Sequence, residues 1–150
     1  MKLKIPPLVV TFIFALFMYL LATYMPVGYF DFFGRNYLMY LLFFLALLIG
    51  VVTLFQFFGS KTSIDPLVPS KASKLVTGGL YQYSRNPMYL ALLLLLLTWG
   101  LYLGNAFNTL LAAGFVYYMN TYQIIPEEEA LTNIFGKEYQ KYCVMVRRWF

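Results

Sequence analysis

In 150 residues the chain carries 61% hydrophobic side chains, 21% aromatic ones and only 11% charged ones, where a soluble domain of this size has about 25% charged residues. With no histidine and one cysteine, a Ser-His-Asp triad, an imidazole acid or base, a His-ligated metal, an internal disulfide and a thiolate zinc site are all excluded. The net charge of +5 suits a protein facing anionic headgroups, and reads as membrane orientation rather than nucleic-acid binding.

Residues 5–30 hold no charged side chain. Within them 8–24 is long enough for a membrane helix, since a hydrocarbon core about 30 Å thick takes about 20 apolar residues. Lys2 and Lys4 ahead of an apolar run also fit a secretory leader, but the run is longer than a leader's apolar region and has no small-residue cleavage site. A short exposed connection, 26–35, leads to a second span at 37–58. The uncharged stretch 86–126 is about twice what one crossing needs, so it must be a hairpin. Gly104-Asn105 supply its turn, between a third span at 88–103 and a fourth at 107–125. A polar loop, 61–85, and a tail, 127–150, remain. The expected fold is one all-α integral membrane domain over 1–150, with about four spans and a C-terminal helix.

Four spans put both termini on one side. Lys2, Lys4, Lys61, Lys71, Lys74, Arg85, Lys137, Lys141, Arg147 and Arg148 then share that side, and Arg35 alone takes the other. By the positive-inside rule the termini, loop and tail of this multi-pass chain are cytosolic. The hairpin also returns Arg85 and the pair Glu127-Glu128 to one membrane face beside Tyr81, Tyr83 and Tyr89. Such a set suits an amphoteric, aromatic ligand.

Thr77-Gly78-Gly79-Leu80-Tyr81 form a glycine-bearing loop before a helix start, where Asn86 suits the N-cap and Pro87 the first helical position. By itself this segment fits a capped membrane helix with a snorkelling arginine as well as it fits an anion site. Glu127, Glu128 and Glu129 follow Pro126 and fit a helix's first turn. Leu131, Phe135 and Tyr139 recur every four residues with Tyr142 close by, an apolar face that packing alone would explain. Cys143, lacking an imidazole partner, reads as a small apolar residue.

The two segments together resemble the membrane methyltransferase family that includes isoprenylcysteine carboxyl methyltransferases and phospholipid N-methyltransferases. The matching pieces are Thr77-Gly78 with Leu80-Tyr81, then Arg85-Asn86-Pro87-Met88-Tyr89, then Glu127-Glu128 with Leu131, Phe135-Gly136, Tyr139 and Tyr142, and finally Val146 with Arg148-Trp149. Order and spacing agree over roughly residues 75–150, while the first two spans match only as hydrophobic helices. Many relatives have histidine where this chain has Asn86, which hydrogen-bonds but carries no proton. They often have proline where it has Arg147.

The resemblance implies S-adenosyl-L-methionine as cofactor and methyl transfer to a lipid-like acceptor at the cytosolic face. The nucleophile then belongs to the substrate, so the chain needs none of its own. It implies cofactor binding by Gly78, Gly79, Leu80, Tyr81, Asn86, Pro87, Tyr89, Glu127, Glu128 and Tyr142. The glutamates would serve ribose hydroxyls and the cofactor's cationic end, and because first-turn acids contribute only about 0.3–1 kcal/mol to a helix, they are expected to serve the cofactor rather than the fold. Arg85 and Arg148 are the catalytic candidates. Arg85 would hold either the cofactor carboxylate or an anionic acceptor, and Arg148 equally fits an interfacial anchor. Prenylcysteine carboxylate, phospholipid amine and small thiol stay open as acceptors, as does the oligomeric state. Two other classes compete: a non-catalytic four-helix subunit or lipid-binding module, which leaves the paired motifs unexplained, and a sterol-reductase-like nicotinamide enzyme, whose pocket needs more spans. Cofactor binding separates the three.

Overall fold

The computed structural model describes residues 5–60 and 75–150, and every described regular element is helical. Helix α1 (Pro7–Tyr24) opens with proline at its first position and stops ahead of Pro26, whose ring disfavours helical backbone at Met25. Helix α2 (Arg35–Ser60) follows. Both α1 and the stretch Arg35–Gln56 are long and apolar enough to cross a bilayer. Neither is a buried core helix: Phe12, Leu16 and Phe17 on α1, and Tyr37, Leu41, Phe44, Leu48 and Phe55 on α2, face outward. Such a continuous apolar exterior belongs against lipid rather than water.

Helix α3 (Pro87–Leu103) and helix α4 (Asn108–Met119) form the expected hairpin. Gly104 turns it in the left-handed conformation, φ +64°, and its N–H reaches the carbonyls of Gly100 and Leu101. A β-carbon here would lie 2.8 Å from the Arg35 guanidinium, which can swing aside, so it is the left-handed backbone that favours glycine. Helix α3 is central, lying along α2 and touching α1 and α4. Met18, Leu96, Phe115, Met119 and Ile124 form the core between them. Phe14 meets Phe115 edge-on at 5.7 Å, and the Trp99 indole donates to the Ala15 carbonyl at 3.0 Å.

The connection 25–34 is more than an exposed link. Phe30 N–H donates to the Gly104 carbonyl, Ala106 N–H to that of Gly28, and the Asn105 amide to that of Met25. Through these bonds it closes over the hairpin turn. Past Met119 the fourth helix does not stop: it widens into a π turn, Asn120–Ile124, and runs on as α5 (Ile125–Phe135). The acidic segment therefore starts within one continuous helical column. Gly136, at φ +53°, then breaks the chain before α6 (Lys137–Met145). The four-residue repeat of Leu131, Phe135 and Tyr139 thus crosses a break instead of following one helix, yet all three pack into one cluster with Tyr81, Tyr142 and Val146.

The start of α1 is tied to the π turn, where the Gln123 amide donates to the Ile5 carbonyl. The end of α2 is tied to the loop ahead of α3, where Gln56 Oε1 accepts Leu80 N–H at 3.3 Å. Those ends gather with α5 and α6 at one pole of the bundle, opposite the Gly104 turn. Among the described basic residues Arg85, Arg147 and Arg148, with Lys137 and Lys141 on α6, lie at the first pole and Arg35 at the second. Lys2, Lys4, Lys61, Lys71 and Lys74, with most of the expected polar loop, lie outside the described residues.

Candidate functional site

The glycine loop is pinned against α2. Gly79 has φ +61°, and a β-carbon on it would fall 1.7 Å from Gln56 Nε2, so only glycine lets the loop approach the amide that holds Leu80. From there a short 3-10 turn, Gly79–Gln82, buries Tyr81. The Gly78 carbonyl accepts Tyr81 N–H, and the Tyr81 carbonyl accepts the Tyr142 hydroxyl at 2.6 Å. Loop and α6 are locked together through that bond.

Asn86 occupies the N-cap position of α3, ahead of a buried Pro87, but makes no capping bond. Its side-chain Nδ2 instead donates to the Arg148 carbonyl at 2.9 Å, and Arg85 N–H donates to the Arg147 carbonyl at 3.0 Å. The bond from Nδ2 to a partly buried carbonyl of another segment fixes the side chain's orientation, and Oδ1, the atom a cap would use, makes no bond to the first amides of α3. Trp149 completes the tie, its indole donating to Asn120 Oδ1 at 3.0 Å. Residues 146–149 therefore strap the start of α3 to the π turn.

This strap delivers Arg148 to Glu128. The guanidinium approaches as a fork, Nη2 at 2.6 Å from Oε2 and Nε at 3.0 Å from Oε1. Arg85 Nη2 meets the same Oε1 at 3.0 Å. One carboxylate thus bridges two guanidinium groups, and its hydrogen bond holds the Arg148 pKa above the usual arginine value. The Arg85 side chain is almost wholly buried, and its Nε has no hydrogen-bond partner. A buried donor without a partner costs about 1–3 kcal/mol, a cost that an acceptor at this nitrogen would relieve.

Glu127, about 100° around the helix from Glu128, takes different company. Tyr89 donates its hydroxyl to Glu127 Oε1. Burial pushes the Glu127 carboxyl up to about 8, the Tyr89 bond opposes this, and Glu128 adds to it. Burial likewise raises the Tyr81 and Tyr139 phenols, and lifts Tyr142 to about 12 against the lowering effect of Arg85. Burial therefore favours the neutral forms of these phenols and of Glu127.

A test of that protonation follows from its sign. The folded Glu127 keeps a proton that an unfolded carboxyl loses near 4.5, so this group's contribution is greatest below 4.5 and is lost as pH rises to about 8. Thermal unfolding in detergent from pH 5 to 8.5 should show declining stability in the native chain, and Glu127→Gln should remove much of that slope.

The structure thus joins Arg85, Arg148 and Glu128 in one cluster, Tyr89 and Glu127 in a second, and Tyr81 and Tyr142 in a third, with Gly78, Gly79, Leu80, Asn86 and Pro87 as the framework between them. The donor set suits a zwitterionic cofactor: the Arg85 donor matches a carboxylate, and Glu127 with Tyr89 matches an ammonium or a sugar hydroxyl. Gln56, Asn120 and Gln123 are supports that motif reading missed. Each is a lone polar residue in an apolar helix, which is the available signal.

The family model of the phospholipid methyltransferases matches residues 10–138. An uncharacterised protein of Haemophilus influenzae is 48% identical over 62 residues, 41% of this chain and 98% of that protein. A protein-S-isoprenylcysteine O-methyltransferase of Schizosaccharomyces pombe is 35% identical over 83 residues, 53% of this chain and 35% of that enzyme. No solved structure matches. Since the family match runs from α1 into α6 and takes in both sides of the Arg85–Glu128 contact, the chain belongs to the phospholipid methyltransferase family.

Proposed function

We propose that the chain is a single-domain, four-span membrane enzyme that transfers a methyl group from S-adenosyl-L-methionine to the head of a lipid-like acceptor at the cytosolic face. The observation that carries this reading is the convergence of Arg85 and Arg148 on Glu128 beside the Tyr89–Glu127 pair, where the start of α3 meets the first turn of α5. A scaffold that binds nothing has no use for a buried arginine with a spare donor.

When bound, the cofactor supplies an electrophilic methyl group. The chain's residues bind and align: Arg85, through its free Nε, would take a carboxylate, Glu127 and Tyr89 would hold an ammonium or ribose hydroxyl, and the loop from Gly78 to Tyr81 would cover the polar edges. Arg148 positions Arg85 through their shared Glu128. Placing acceptor and methyl group in line can supply about 7–11 kcal/mol of a barrier. The polar site at one pole of an apolar bundle lets an acceptor keep its tail in lipid.

Two experiments test this. Calorimetry on the purified protein should show S-adenosyl-L-methionine binding, and labelled methyl groups should pass into a lipid-soluble product from a total lipid extract; absence of both would sink the enzyme reading. For the topology, Ala106→Cys and Lys137→Cys in a Cys143→Ser background should be labelled from opposite sides of the membrane. Labelling from one side would show that the α3–α4 hairpin does not span.

A further inference from the structure

We propose that α6 and the tail after it form a foot that lies in the membrane surface at the site's pole and holds anionic lipid headgroups there.

Charge singles this segment out. Of the six described basic residues, Arg35 is paired with Asp31, and Arg85 and Arg148 are paired with Glu128. The other three, Lys137, Lys141 and Arg147, are exposed and make no ion pair with a described residue. All three lie within residues 137–150, where Glu138 is the one acidic side chain. The same segment exposes large apolar groups: Val144, Met145 and Phe150 are 88%, 76% and 78% exposed.

Helical geometry sorts these side chains. Tyr139, Tyr142 and Val146 face inward and pack with Tyr81. The opposite side of α6 therefore carries Lys137, Lys141 and Val144, spaced four and three residues apart, with Met145 at its edge. Cations and apolar tips on one outward face suit the headgroup layer. The apolar tips enter the acyl boundary, and the lysine stems run along it with their ammonium groups among the phosphates.

Depth follows from the strap. Trp149 packs against the bundle core while its indole donates to Asn120, and the Asn86 amide holds the Arg148 carbonyl at the start of α3. The apolar hairpin ends at that level, so residues 144–150 are held where hydrocarbon gives way to headgroups. The nine residues of α6 are too few to cross a bilayer. What covers the apolar tips at this depth is the protein's own bilayer, and what answers three unpaired cations is an anionic headgroup. Foot and site also share a chain: lipid held by Arg147 steadies the strap that delivers Arg148 to Glu128.

The test compares nanodiscs of phosphatidylcholine alone with nanodiscs that also contain phosphatidylglycerol. A nitroxide on Met145→Cys, in a Cys143→Ser background, reports depth through its collisions with oxygen, which concentrates in lipid, and with a water-soluble nickel chelate. In the anionic discs oxygen should dominate. Lys141→Gln with Arg147→Gln should return the label toward the chelate, each lost cation lowering the seated-to-lifted ratio by about fivefold. A label open to the chelate in anionic discs would place the face in water and overturn the proposal. One shielded from both reagents, with spin–spin broadening, would show a second copy of the chain there and overturn it too. Equal seating in both discs, unmoved by the two substitutions, would leave no role for anionic lipid and would also overturn it. Hydrogen exchange on the unaltered chain is the independent measure: amides of residues 137–149 should exchange about tenfold more slowly in the anionic discs, an effect lost in high salt. Equal exchange in the two discs would overturn the proposal even if the labelled variant failed to fold. Neither measurement involves methyl transfer, so the enzyme reading stands or falls separately.

Discussion

Glu128→Gln is expected to lower the melting temperature of the detergent-solubilised protein sharply and to weaken cofactor binding in the same preparation. Glutamine removes the only counter-charge that Arg85 and Arg148 contact among the described residues. Breaking a buried ion pair by removing one partner costs about 3–5 kcal/mol, and Glu128, about a fifth exposed at 19%, belongs toward the low end of that range. The loss reaches beyond the pair, since the Arg148 fork is part of the strap that also carries Asn86 and Trp149. A melting temperature unchanged from the native chain, with affinity alone reduced, would make Glu128 a ligand and not a bracket.

Arg85→Gln should give the opposite balance. Glu128 keeps its fork to Arg148 when Arg85 is gone, so one charge pair survives and the fold should lose little. Cofactor affinity or turnover should nonetheless fall by about a hundredfold or more, the scale on which a misplaced reactant is felt. Arg85→Lys should not restore it, because an ammonium keeps the charge but cannot bridge Glu128 and a second anion in the planar arrangement of a guanidinium. Comparing the two variants by thermal unfolding and calorimetry separates the arginine's job from the glutamate's. If Arg85→Gln unfolded the protein as readily as Glu128→Gln, Arg85 would be structural.

Much of the bundle is legible in the sequence because its signals are local. Uncharged runs mark the apolar helices, Gly104-Asn105 mark the hairpin turn, and an antiparallel hairpin necessarily brings Arg85 toward Glu127 and Glu128. What each residue does on arrival is not local. Adjacent glutamates look equivalent in a string of letters, yet one helical step sends Glu128 to two arginines and Glu127 to a phenol. Asn86 has the composition of a cap, but the better use of its amide lay some sixty residues away at the Arg148 carbonyl and no spacing rule reaches that far. The break at Gly136 was written in a single residue within a periodic face, and a four-residue repeat passes across it undisturbed.

The π turn between Met119 and Ile125 has a consequence for how such chains are compared. A turn closed by i→i+5 bonds absorbs one residue more than an α-turn while the helix on either side keeps its direction. A related protein with an ordinary helix here would show the same glutamates to the same arginine with one letter fewer between the two motifs. The distance along the chain from Arg85 to Glu128 is therefore an elastic ruler, and a single-letter gap at residues 120–124 marks a conserved face rather than a shifted one.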